Sequence, residues 1–130
     1  MNDRPGQQKS FLRARIKSFG YAWRGIAALI LTQGNALVHL AATLGVIVAG
    51  FHFHVSAGEW LALVLAMSSV WTAEGLNTAI EALADRITTE HDPLIGRAKD
   101  VAAGAVLLAA IAAAVVGAIV FGPRLLALLR

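Results

Sequence analysis

Residues 101–122 run without a single charged side chain, and a stretch of that kind leaves a chain few ways to fold. As a helix rising ~1.5 Å per residue it covers about 33 Å, enough to cross the ~30 Å hydrocarbon layer of a bilayer. Two further stretches share its character. Residues 36–53 are apolar apart from His39 and His52, and residues 60–86 open apolar behind Trp60, whose ring suits the membrane interface. The short segment His54-Val-Ser-Ala-Gly-Glu59 turns the second span back antiparallel to the first. Thr88-Thr-Glu-His-Asp-Pro93 ends that span, because proline pushes the residue before it out of helical geometry. The expectation is an all-α integral membrane protein, one domain over 1–130, with membrane helices at 36–53, 60–86 and 98–122. With 58% of its 130 residues hydrophobic and 15% charged, the chain is too apolar for an ordinary soluble domain. It has no cysteine, which excludes disulfides and thiolate metal sites.

Ahead of the spans, residues 1–8 (MNDRPGQQ) read as a polar, disordered leader. Over 9–31, Leu12, Ile16, Phe19, Trp23, Ile26 and Ile30 recur at alternating steps of four and three, with Arg13, Lys17 and Arg24 on another face. That pattern fits an amphipathic helix lying on the membrane surface, and also one packed on the protein's own core. No short hydrophobic core with a cleavage site precedes it, so no removable signal peptide is expected. Nine lysines and arginines (Arg4, Lys9, Arg13, Arg15, Lys17, Arg24, Arg86, Arg97 and Lys99) fall on one side of a three-span arrangement, against Arg124 and Arg130 on the other. The bias places the N-terminus and the 86–99 loop in the cytoplasm, in a multi-pass protein of the inner (cytoplasmic) membrane. The net charge of +3 flanks apolar spans instead of forming a solvated basic surface, which argues against nucleic acid as a partner. Small residues in the last span, from Ala102, Ala103 and Gly104 to Gly117, predict close helix contact. Three spans alone bury little, so an oligomer is expected.

The second span carries the chemistry. In Glu74-Gly-Leu-Asn77-Thr-Ala-Ile-Glu81-Ala-Leu-Ala-Asp85, a turn of about 100° per residue puts Glu74, Asn77, Thr78, Glu81 and Asp85 on one stripe. A carboxylate at the bilayer centre costs roughly 2.5–3.5 kcal/mol even on lenient scales, so such residues face a bundle interior and mark a functional pathway. Arg97-Ala-Lys99-Asp100 opens the next helix at the same level, adding a cation and another carboxylate. Carboxylates for a divalent metal, a lysine for phosphate oxygens and a buried glutamate to accept a hydroxyl proton are what phosphoryl transfer requires. The blander alternative makes Glu81, Asp85, Arg86, Lys99 and Asp100 solvated helix ends joined in ion pairs. No G-x-x-x-x-G-K-[ST] loop is present, so a nucleotide would be held without one. His52 and His54 alternate around Phe53 with too few carboxylates nearby for a metal site, and His39 is either a buried hydrogen-bonding residue or a functional one.

At these residues the chain resembles the prokaryotic diacylglycerol kinase family, which includes the undecaprenol kinases. The likeness lies in Glu74 to Arg86, in Gly96-Arg97-Ala98-Lys99-Asp100 and in Gly20-Tyr21-Ala22-Trp23-Arg24-Gly25. It implies a homotrimer of three-span protomers that transfers the γ-phosphoryl group of ATP, with Mg²⁺, to a lipid hydroxyl. Glu74 would be the general base and Glu81 a metal and ATP ligand. Asn77, Lys99, Asp100, Tyr21 and the 90–92 turn (Glu90, His91, Asp92) would contact the nucleotide. Two positions depart from the pattern. Gln33-Gly-Asn35-Ala-Leu-Val-His39 has an amide where the family has a metal carboxylate, so Gln33 would serve the metal with less charge. His91-Asp92-Pro93 stands where many members have His-Pro-Leu. The function expected is a lipid kinase acting on diacylglycerol or undecaprenol. A small proton-coupled transporter using Glu74, and a catalytically inactive scaffold descended from the kinases, are the alternatives.

Overall fold

The computed structural model describes residues 5–32, 34–87 and 92–130, and every regular element among them is an α-helix. In chain order these are α1 (Pro5–Thr32), α2 (Gly34–His52), α3 (Ala57–Ile87) and α4 (Pro93–Leu128). The chain divides into two compact units, residues 1–33 and 34–130, where the sequence alone suggests one domain.

The first unit is α1. It begins at Pro5 and not at Lys9, so residues 5–8 of the expected leader are helical. Proline suits the first turn, because the N–H it lacks would find no partner there. The predicted apolar stripe is exposed within this unit, with Ile16, Phe19 and Trp23 all open. Tyr21 lies between two cations on the same helix, Lys17 Nζ 5.8 Å and Arg24 Cζ 4.9 Å from its ring centre.

In the second unit α4 packs along the length of α3, and α2 rests more lightly on α3. Local chemistry sets the helix ends. At the end of α2, the Val55 N–H donates to Gly50 O and the His54 N–H to Phe51 O, while His54 takes a φ of 50°. This paired pattern closes a helix through a left-handed residue, a place that glycine usually fills. Ser56 and Glu59 then start α3 reciprocally: the Ser56 N–H donates to Glu59 Oε2 (2.7 Å) and the Glu59 N–H to Ser56 Oγ (3.4 Å). α3 therefore begins at Ala57, ahead of the expected Trp60. Asp92 caps α4, its Oδ1 accepting from the Leu94 and Ile95 N–H groups, and Pro93 supplies the first turn. The helix thus begins five residues before the expected 98 and continues through Pro123 to Leu128. At 36 residues it is about 54 Å long, well beyond a ~30 Å hydrocarbon layer.

The apolar core lies near the 54–59 turn, where Val55, Leu63 and Val120 gather Trp60, Phe53 and Phe121 around them. Trp60 lies so close over Gly50 that a Cβ there would come within 2.6 Å of its ring carbons. Farther along, Trp71 Nε1 donates to Thr43 Oγ1 at 3.0 Å and ties α3 to α2. The small residues of α4 are not all used in this way. A Cβ added at Gly104 or Gly117 would meet nothing within 4 Å, so within the single chain these two glycines make no close helix approach.

Among the described residues two helices, α2 from Asn35 and all of α4, are long and apolar enough to cross a membrane. α3 is 31 residues long, but the polar stripe occupies its second half. Large apolar side chains such as Val48, Leu107 and Ile119 point outward from the single chain, a surface that lipid or neighbouring protein would cover.

Candidate active site

The stripe on α3 divides by depth. Glu74 is 1% exposed, making it the largest fully buried side chain among the described residues, and Asn77 is 6% exposed. Glu81 is half-buried one turn on, and Asn77 Nδ2 donates to Glu81 Oε1 at 3.1 Å. Glu74 Oε2, Asn77 Oδ1 and Thr78 Oγ1 are buried with no hydrogen-bond partner among the described residues. A buried polar oxygen left without a partner costs about 1–3 kcal/mol, and three within five residues concentrate that cost at one place. Buried polar groups in folded proteins are completed by a partner, so a water, an ion or a ligand is called for at this place.

These residues line a cleft of about 330 Å³ between α2, α3 and α4. Asn35 and His39 form its α2 wall, Glu74, Asn77 and Glu81 its α3 wall, and Ala103 and Ala110 belong to its α4 wall. His39 Nε2 stands 3.8 Å from Glu74 Oε2. Because α4 contributes only apolar side chains to this cleft, the polar groups come from α2 and α3.

Residues 20–121 match the family model for prokaryotic diacylglycerol kinase. The chain belongs to the prokaryotic diacylglycerol kinase family. As a member it is a lipid kinase, a transferase of a membrane-protein family. It is 41% identical over 110 residues to the undecaprenol kinase of Bacillus subtilis, covering 85% of this chain and 89% of that one. To the diacylglycerol kinase of Synechocystis it is 42% identical over 115 residues, 88% of this chain and 66% of the relative. With the diacylglycerol kinase of Escherichia coli it shares 37% over 100 residues, 77% and 82% of the two chains.

Within this kinase the expected site residues lie in different settings. Glu74, Asn77 and Glu81 meet in the cleft. Lys99 is bound elsewhere, its Nζ donating to Asp85 Oδ1 at 2.9 Å, with both side chains partly exposed. That is the ion-pair alternative raised for Asp85, and the pair joins α3 to α4. Asp100 is exposed, and the Oδ1 of Asp92 is engaged in the α4 cap. Tyr21 belongs to the other unit. Gln33, Glu90 and His91 lie outside the described residues. His39 was legible only as a residue of two possible roles, because nothing in the spacing of α2 against α3 shows that it faces Glu74.

For a metal, the described residues hold no group of three or more His, Asp or Glu placed to bind one. They fit an ion that arrives already bound to phosphates. Mg²⁺ commonly takes one or two protein carboxylates and draws its remaining ligands from substrate phosphates and water. Glu81 offers the carboxylate, and the unpartnered Asn77 Oδ1 offers a neutral oxygen beside it.

Proposed function

We propose that this chain phosphorylates a membrane lipid alcohol, diacylglycerol or undecaprenol, at the expense of ATP, with Glu74 as the general base. The observation that carries the proposal is the fully buried Glu74 carboxylate, whose Oε2 is without a partner among the described residues in a cleft it shares with Asn77 and Glu81. Placed there, Glu74 takes the proton of the lipid hydroxyl. As that O–H bond breaks, the oxygen bonds to the γ-phosphorus, the bond from phosphorus to the bridging oxygen breaks, and ADP leaves. Asn77 fixes Glu81 through its amide N–H, Glu81 with or without Gln33 holds the Mg²⁺ that accompanies ATP, and Lys99 and Asp100 serve the nucleotide. Bound Mg²⁺ neutralises charge on the transferring phosphates. Tyr21 and the 90–92 turn complete the nucleotide contacts.

We assign α3 from Trp60 onward as a membrane span between those of α2 and α4, making three, in a homotrimer in the cytoplasmic membrane with the N-terminus inside. Supporting this are the length of α3, the many outward-facing apolar side chains of the single chain, and the excess of Lys and Arg on one side. Identities to relatives named for each lipid are similar, so they favour neither substrate. Purified protein given labelled ATP with diacylglycerol and undecaprenol side by side would phosphorylate one of them in preference. Failure to label either lipid, with Mg²⁺ present, would return the chain to the inactive scaffold.

A further inference from the structure

His39 lies at a junction. It lines the polar cleft with Glu74, and it also lines an apolar cavity of about 260 Å³ between α2, α3 and α4 that includes Met67, Val70 and Ala114. Its ring meets Trp71 edge to face, centres 6.3 Å apart at 68°. Trp71 is itself held by its bond to Thr43 Oγ1. The imidazole therefore has a fixed wall on one side and a buried carboxylate on the other. On that carboxylate, Oε2 lacks a hydrogen-bond partner among the described residues, and His39 Nε2 is the basic group that approaches it, at 3.8 Å. This is longer than a hydrogen bond, as catalytic pairs often are before substrate binds and tightens them.

We propose that His39 is a positioning residue for Glu74: its Nε2–H donates to Glu74 Oε2 when the lipid hydroxyl arrives, leaving the other carboxylate oxygen to take the hydroxyl proton. The inference rests on Glu74 being the base. A hydrogen-bond donor on one carboxylate oxygen limits rotation of the group about its last bond. The Asn77 amide gives one of its two N–H groups to Glu81, and it makes no hydrogen bond to Glu74 Oε2. On α4 the cleft lining is apolar, so it supplies no side-chain donor there.

The test compares His39→Phe, which keeps a ring against Trp71 without a donor, with His39→Gln, whose amide nitrogen reaches about where Nε2 lies. His39→Phe should lower kcat by about 10- to 100-fold with KM for ATP unchanged, and His39→Gln should recover most of the loss. In a Glu74→Gln background, His39→Phe should cost nothing further. A ring needed only for packing would give the reverse order, with Phe active and Gln impaired, and would overturn the proposal. If Glu74→Gln abolishes turnover while both His39 variants keep the wild-type kcat, Glu74 stands as base and His39 falls. If Glu74→Gln keeps full activity, the base assignment itself fails. Should His39→Phe not fold, as judged by thermal unfolding in detergent, the ¹⁵N resonances of His39 decide. Nε2 should shift between wild type and Glu74→Gln when the lipid substrate is bound, and identical resonances would overturn the inference.

Discussion

The start and the middle of α3 hold the same kind of residue in opposite states. Glu59, in the first turn of α3, has partners for both carboxylate oxygens: Arg124 Nη1 and Nη2 at 2.8 and 2.9 Å, and the Ser56 N–H. Arg124 also donates to Val120 O, one turn back across the helix that Pro123 interrupts. Glu74, fifteen residues along the same helix and about 22 Å away, is more deeply buried, yet its Oε2 has no partner among the described residues. An acid that is already satisfied fastens helices together, whereas one left wanting can still bind or react. The contrast supports the roles proposed for the two acids, Glu59 as a fastener and Glu74 as a base, without appeal to position along the chain.

Replacing each acid by its amide should therefore have opposite consequences. Glu74→Gln should cut kcat by about 10²- to 10⁴-fold, the usual worth of a general base. It should leave the unfolding temperature nearly unchanged, because the Oε2 it replaces has no hydrogen bond among the described residues to lose. Glu59→Gln should lower the unfolding temperature and keep turnover per folded molecule. Parallel losses of stability and activity at both positions would erase the distinction.

Packing offers the next largest effect. Gly50 sits beneath the Trp60 ring in the satisfied half, and a Cβ there would fall 2.6 Å from two of its carbons. Gly50→Ala should lower stability by about 1–3 kcal/mol, the ordinary cost of overpacking, and leave lipid phosphorylation by the folded protein unaltered. Denaturant unfolding in micelles measures the first and labelled-phosphate transfer the second. An alanine variant as stable as wild type would mean that Trp60 can move aside.

What the sequence reveals tracks the same division. Helical periodicity is enough to put Glu74, Asn77 and Glu81 on one face, because that depends only on the turn of α3. Burial along the stripe is not deducible that way. Asp85 shares the face but is exposed, and Ala84 is the buried residue at that level. Partners from distant parts of the chain are hidden as well. Arg124 meets Glu59 across 65 residues and His39 meets Glu74 across two helices, and neither spacing follows a local rule. Helix starts differ from the apolar runs where caps, not hydropathy, decide them: Ser56 with Glu59 begins α3, and Asp92 with Pro93 begins α4. Both signals stand in the sequence as S-x-x-E and Asp-Pro, outside the apolar runs that mark the spans.

The satisfied end also predicts a response to acid. Hydrogen bonds from Arg124 above all, with those from Ser56, hold the Glu59 carboxyl at about 2, below its ordinary 4.5. A carboxyl held low in the folded state stabilises the fold above its unfolded value, and that contribution is lost as pH falls from about 4.5 towards 2. The wild type should therefore unfold at progressively lower temperature across that window. Arg124→Ala should start lower at neutral pH and converge on the wild type as the window is crossed. A constant gap between the two melting curves from neutral pH down to about 2 would show that the pair contributes through packing of the arginine stem instead.

The smallest effect is expected where Asp85 on α3 holds Lys99 on α4. The pair is exposed enough for water to screen it, so Asp85→Asn should leave stability nearly unchanged. Its value for the comparison is kinetic. If Lys99 serves the triphosphate, Asp85 both orients the ammonium and competes with phosphate for it, and these influences oppose each other. KM for ATP should then change by about fivefold or less in Asp85→Asn with kcat intact, whereas Lys99→Met should raise KM far more. Equal KM values for wild type and Lys99→Met would make the pair a simple tether between α3 and α4, and Asp85 would join Glu59 among the satisfied acids.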